Sequence, residues 1–164
     1  MQMQAAVLRT VHEPLAIESV DVDKPSGHEV LVRTVATGVC HSDLHVADGL
    51  SRYSLDRPIV LGHEGAGIVL AVGEAVTTVR RSDHVVACLS GFCGTCAQCL
   101  GGHPNSRMGV NQFRVDIPRY LEFYRQGRLM LDEMITRAGR LDDINDAFRA
   151  MTAGEVARTV LMFD

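Results

Sequence analysis

Apolar positions in residues 1–100 come in short runs rich in β-branched side chains, at 5–8, 29–36, 66–72 and 84–89. Turn-forming groups separate them at short intervals: Pro25-Ser26-Gly27, Asp48-Gly49, Gly73-Glu74 and Ser82-Asp83. Short strands with frequent turns predict an all-β barrel or sandwich. One segment of this half, 42–48, reads as a helical turn opened by a capping Ser42 and stopped by Gly49.

Near residue 116 the period changes. Asp116-Ile117-Pro118 predicts a helix start, with an acid at the cap and a proline in the first turn. Tyr120, Leu121 and Tyr124 follow at helical spacing, and Gly127 ends the run. A second helix is expected from about Leu141, with Ile144, Ala147, Phe148 and Met151 on one face and Gly154 beyond its end. The run 156–163 reads as a strand whose partner must come from the first half. The fold class is therefore mainly β with C-terminal helices. The weak pattern between Cys99 and Asp116 is where a domain seam is expected.

Composition narrows the class. The chain has 164 residues, 46% hydrophobic and 22% charged, enough apolar material for a core without staples. Sixteen basic against 20 acidic residues leave a net charge of −4, which supports neither nucleic acid nor an anionic membrane as partner. No apolar run reaches the ~18 residues of a membrane-spanning helix. Met1-Gln2-Met3-Gln4 does not open a secretory signal, so the cytoplasm is the expected compartment. His12, His28 and His84 read as surface or capping groups, Arg80-Arg81 as a solvated turn pair, and Cys88 as a small buried residue of its strand.

Three of the five cysteines, Cys93, Cys96 and Cys99, recur at every third position with Gly91 and Gly94 interleaved. Thiolates at that spacing converge on one ion, because glycine lets the backbone curl around it. Zinc in a closed site takes four ligands, and His103 is the candidate for the fourth. The run also has the look of an iron–sulfur motif that has lost its last cysteine, although zinc tolerates the imidazole better. Elsewhere, Cys40-His41-Ser42-Asp43-Leu44-His45 and Gly62-His63-Glu64 both follow strands. A cysteine and a histidine at the ends of adjacent strands can face one metal with a position left open.

With these motifs the sequence resembles the zinc-dependent alcohol dehydrogenases of the medium-chain dehydrogenase/reductase group. Gly62, His63, Glu64, Gly67, Gly73 and Val76 fit every fixed position of that family's zinc signature. The Cys-His-Ser-Asp-x-His segment and the spaced cysteines come in the family's order. The C-terminal part is similar too, at Asp116-Ile-Pro, Leu131-Asp, Ile135-Thr, Ile144-Asn-Asp-Ala-Phe148, Gly154 and Arg158.

The resemblance implies a partly open, chaperonin-10-like (GroES-like) β-barrel carrying C-terminal helices, one catalytic domain built from 1–105 and 108–164. It implies that Cys40 and His63 are catalytic zinc ligands, that Glu64 approaches the same ion, and that Asp43 orients the His63 imidazole. Ser42 and His45 would form the proton relay, and His41 would touch the cofactor pyrophosphate. Cys93, Cys96 and Cys99 would hold a structural zinc, giving one or two zinc ions per chain. The family reaction is the NAD-dependent oxidation of a small alcohol to an aldehyde or ketone.

Four departures shape the expectation. Family members carry a nucleotide-binding domain where this chain runs straight from Asn105-Ser106 into Met108-Gly109. Arg107 stands where the fourth structural cysteine would be, and the third catalytic ligand, also a cysteine, belongs to the omitted stretch. No Gly-x-Gly-x-x-Gly opens a helix after a strand. The chain alone is therefore expected to show no NAD(P)-dependent alcohol oxidation. It is read either as a catalytic domain completed by a dinucleotide domain from elsewhere or as a non-catalytic zinc-binding β-barrel module used in packing or assembly. Surface uncovered near Cys40 and along the helices after residue 116 is expected to favour self-association.

Overall fold

The longest β-branched run, Val30–Gly38 (β3), is the central strand of a five-stranded sheet. A computed structural model describes residues 1–50, 56–89, 96–101 and 113–164 of the chain. In this sheet β3 pairs antiparallel with Gly65–Val72 (β5) on one side and Thr159–Met162 (β8) on the other. His84–Val86 (β6) adds to β5, and Arg137–Gly139 (β7) runs parallel to β8, giving the order β6-β5-β3-β8-β7. A second sheet of three strands has Gln2–Leu8 (β1) between Ala16–Asp21 (β2) and Ile59–Val60 (β4). The sheets do not close on each other, and the partly open barrel expected from the sequence holds.

Two glycines of the zinc signature serve this sheet directly. A Cβ on Gly67 would lie 2.2 Å from the Arg33 carbonyl oxygen, and one on Gly73 would lie 2.4 Å from that of Gly27. Only a residue without a side chain allows backbones so close.

By internal contact the chain forms two units, Met1–Ala87 with Ile135–Asp164, and Cys88–Met134. The first unit buries Leu8, Leu15, Val39, Ala47, Ile144, Ala147, Phe148 and Leu161 as one cluster. Ile144, Ala147 and Phe148 come from Ile144–Thr152 (α4), which follows a short 3-10 turn at Leu141–Asp143, so the predicted apolar face is the one that packs. The closing strand finds its first-half partner in β3, as expected. The second unit holds Ala97–Leu100 (α2) and Phe113–Arg125 (α3). Gly127 and Gly154, the expected helix stops, sit at φ +67° and +69°. Most of the expected seam, 102–112, lies outside the described residues.

Three readings need correction. α3 begins at Phe113, upstream of Asp116, so Pro118 falls inside the helix, where it has no N–H to offer the ladder. The N-cap of the first helix, His41–Ala47 (α1), is Cys40 rather than Ser42, whose hydroxyl is used elsewhere. Cys88 is exposed, not buried in a strand. β6 stops at Val86 because its partner β5 begins at Gly65, which already accepts the Ala87 N–H. The strands β2, β4 and β7 were not anticipated. Among the described residues, no helix is long and apolar enough to cross a membrane.

Candidate metal centre

Antiparallel pairing brings the C-terminal end of β3 beside the starts of β5 and β8, in the registers Thr37↔Gly65 and Gly38↔Val160. Cys40 follows β3, His63 and Glu64 precede β5, and Arg158 precedes β8. Three segments far apart in the chain thus deliver their side chains to one place. Backbone bonds fix the junction: the Gly38 N–H donates to the Glu64 carbonyl at 3.3 Å, and the Val39 N–H to that of Thr159 at 3.0 Å.

One ligand atom each of Cys40, His63 and Glu64 lies within 4.8 Å of the others, the one such trio among the described residues. All three side chains are half-buried. The His63 ring is held from behind, where its Nδ1–H donates to Asp43 Oδ1 at 3.1 Å. The proton on Nδ1 leaves a lone pair on Nε2. That lone pair meets the Ser42 hydroxyl at 3.2 Å, and Ser42 Oγ also shares a hydrogen bond with Cys40 Sγ at 3.0 Å. Asp43 is itself only 7% exposed. Its position on the first turn of α1, three residues beyond Cys40, turns it inward while His41, Ser42 and His45 face solvent.

Glu64 has a partner that the sequence did not suggest. Arg158 Nη1 donates to Glu64 Oε2 at 2.7 Å and, more weakly, to the Val39 carbonyl at 3.4 Å. In the sequence Arg158 stands out only as part of the C-terminal similarity, and the separation of 94 positions leaves no local signal of its pairing with Glu64. His41 and Arg158 also line a cleft of about 130 Å³ with Cys40, Met151 and Thr159. The Thr159 hydroxyl is buried there with no hydrogen-bond partner among the described residues.

A thiolate, an imidazole with its free nitrogen oriented, and a carboxylate form a donor set that suits zinc. Three protein ligands on this spacing leave a position open for a fourth group.

Comparison with known proteins decides the family. Residues 26–123 match the Alcohol dehydrogenase GroES-like domain. The chain belongs to that family. It is 50% identical over 103 residues to a geraniol dehydrogenase of Castellaniella defragrans, a match covering 63% of this chain and 26% of that protein. An alcohol dehydrogenase of Moraxella is 46% identical over 101 residues, or 61% of this chain and 30% of its own length. Among solved structures, an alcohol dehydrogenase zinc-binding domain protein from Burkholderia ambifaria is 50% identical at a TM-score of 0.57, covering 63% of this chain and 27% of that one. The benzyl alcohol dehydrogenase of Acinetobacter calcoaceticus matches at 42% identity and a TM-score of 0.56, over 63% and 28% of the two chains. This member of the GroES-like family thus spans between a quarter and a third of the relatives it matches.

The second cysteine group lies in the other unit. Cys96 is the N-cap of α2 and is exposed, and Cys99 lies within α2 and is half-buried. Cys93, His103 and Arg107 lie outside the described residues.

Proposed function

We propose that this GroES-like domain is the metal-holding part of a zinc-dependent, NAD-linked alcohol dehydrogenase that acts on a small alcohol or aldehyde. The reading rests on one observation: Cys40, His63 and Glu64 converge, with Asp43 turning His63 Nε2 toward Cys40. Zinc held there would supply Lewis acidity, lowering the pKa of a hydroxyl that approaches the open position.

The chain's own residues would do the rest of the proton work. Ser42 Oγ, already a hydrogen-bond partner of both Cys40 and His63, is the group to receive a proton released at the centre. His45 stands on the same face of α1, one turn further on and exposed, and would pass that proton to solvent. The cleft beside His41 and Arg158 offers basic groups and the orphaned Thr159 hydroxyl to a phosphate-bearing cofactor. The dinucleotide fold would come from a further domain. Cys93, Cys96 and Cys99 would hold a second, structural zinc, with His103 as candidate fourth ligand. Reduced thiols in these roles fit the cytoplasm.

Zinc per chain, measured by elemental analysis on protein purified without added metal, tests the reading. Cys40→Ala and His63→Ala should each remove about one equivalent, since a three-ligand site does not retain zinc on two. Unchanged zinc in both variants would overturn the assignment. NADH fluorescence on titration with the chain separates the enzyme reading from the non-catalytic module. Enhancement would show that this part alone contributes to cofactor binding.

A further inference from the structure

β3 ends on a glycine that its backbone does not require, because Gly38 is not among the positive-φ residues and pairs with Val160 like any strand residue. The reason is space. A Cβ on Gly38 would lie 2.1 Å from Glu64 Oε2, 3.2 Å from Glu64 Cδ and 3.3 Å from Arg158 Nη1. Two bonded partners thus fill the volume that a side chain would take. Gly38 also holds the Glu64 main chain, donating its N–H to the Glu64 carbonyl at 3.3 Å. The same residue fixes where Glu64 begins and leaves room for where it ends.

We propose that Gly38 is a positioning residue for the metal centre, its missing side chain forming the berth in which Arg158 holds the Glu64 carboxylate beside Cys40 and His63. The inference rests on reading Cys40, His63 and Glu64 as a ligand set. The atom in the way of a Cβ is the end of a flexible side chain, not backbone, so Gly38→Ala moves the carboxylate and leaves β3 paired. The displaced carboxylate loses the Arg158 bond and leaves its place near Cys40 and His63. Arg158, also bonded to the Val39 carbonyl, cannot follow it freely.

The test is a double-mutant cycle of Gly38→Ala and Glu64→Ala, read in two ways on the full chain. The first readout is Co(II) titration followed by thiolate charge-transfer and ligand-field absorption, with cobalt bound by Cys40→Ala subtracted as that of the other thiols. Gly38→Ala should weaken Co(II) binding by about 10- to 100-fold and change the ligand-field band, as loss of a supporting group around a metal does. In the Glu64→Ala background the same substitution should change neither. The second readout is the melting temperature without metal, where Gly38→Ala should lower Tm in the parent and have little effect beside Glu64→Ala.

No change on Gly38→Ala, or equal changes with and without Glu64, would overturn the proposal. A parent chain that takes up no Co(II) would sink the ligand-set reading instead. In that case the metal-free cycle still decides the berth: coupled melting temperatures sustain it and additive ones refute it.

Discussion

Asp43 Oδ1 accepts two hydrogen bonds at once, from His63 Nδ1–H at 3.1 Å and from the Gly62 N–H at 3.2 Å. One oxygen therefore sets both the ring and the backbone that carries it. Asp43→Asn keeps the size and an acceptor but loses the charge, so His63 becomes a weaker ligand. Zinc affinity, measured by competition with a chelating dye, should fall by about 10- to 100-fold. Asp43→Ala should also destabilise the metal-free protein, because it leaves the Gly62 N–H without its acceptor in a partly buried site.

Asn145 closes the chain over a longer distance. Its Oδ1 accepts the Leu15 N–H at 2.8 Å and its Nδ2 donates to the Leu15 carbonyl at 2.9 Å, so one amide satisfies both backbone groups of a core residue 130 positions away. Asn145→Ala should cost about 1–3 kcal/mol by stranding that partly buried pair. Asn145→Asp should be destabilising too, since a carboxylate replaces the donor and faces the Leu15 carbonyl. Urea unfolding with an unchanged m-value would show that the loss is in the native state.

Such pairs mark the limit of what the sequence made legible. β3, β5 and the face of α4 were readable because their apolar residues recur locally, every second or every third to fourth position. The meeting of Cys40 with His63 followed from strand ends and from the family resemblance. Arg158 beside Glu64 and Asn145 beside Leu15 have no periodic signal, since each depends on which strands and helices become neighbours. Ser42 was misread because a serine ahead of a helix is so often a cap, whereas here its hydroxyl turns to Cys40 and His63. Cys88 was misread because strand length depends on the partner, and β5 begins too late to cover it.

Asp146 on α4 accepts from Arg137 of β7 and from Arg149 Nε, the latter at 2.9 Å. Those bonds, the Arg137 one first, hold its carboxyl below its ordinary value of 3.8. A depressed carboxyl stabilises the fold above its unfolded value, and that contribution is lost as the pH falls through the folded value. Asp146→Asn should therefore lower Tm by a constant small amount from pH 7 to about pH 5, and the gap should close below 3.8. Asp146 and Arg149 are exposed and Arg137 is half-buried, so added salt should narrow the gap at neutral pH. A gap that persists unchanged at low pH would mean that Asp146 acts by packing.

We propose that the apolar stripe on α3 supports weak self-association of the chain. Tyr120, Leu121 and Tyr124 share one side of the helix and are 45%, 48% and 38% exposed, and α3 buries no residue. A helix of this length gives little area, so any dimer through it should be weak, with a Kd in the micromolar range or above. Sedimentation velocity should show a weight-average mass that rises with concentration in the parent chain. Leu121→Glu should flatten that rise while leaving Tm within about 1 °C, because an exposed side chain carries little of the folding energy. Equal association by the variant would move the contact to another face. A lowered Tm would mean instead that Leu121 packs within the fold and that the stripe is not free to pair.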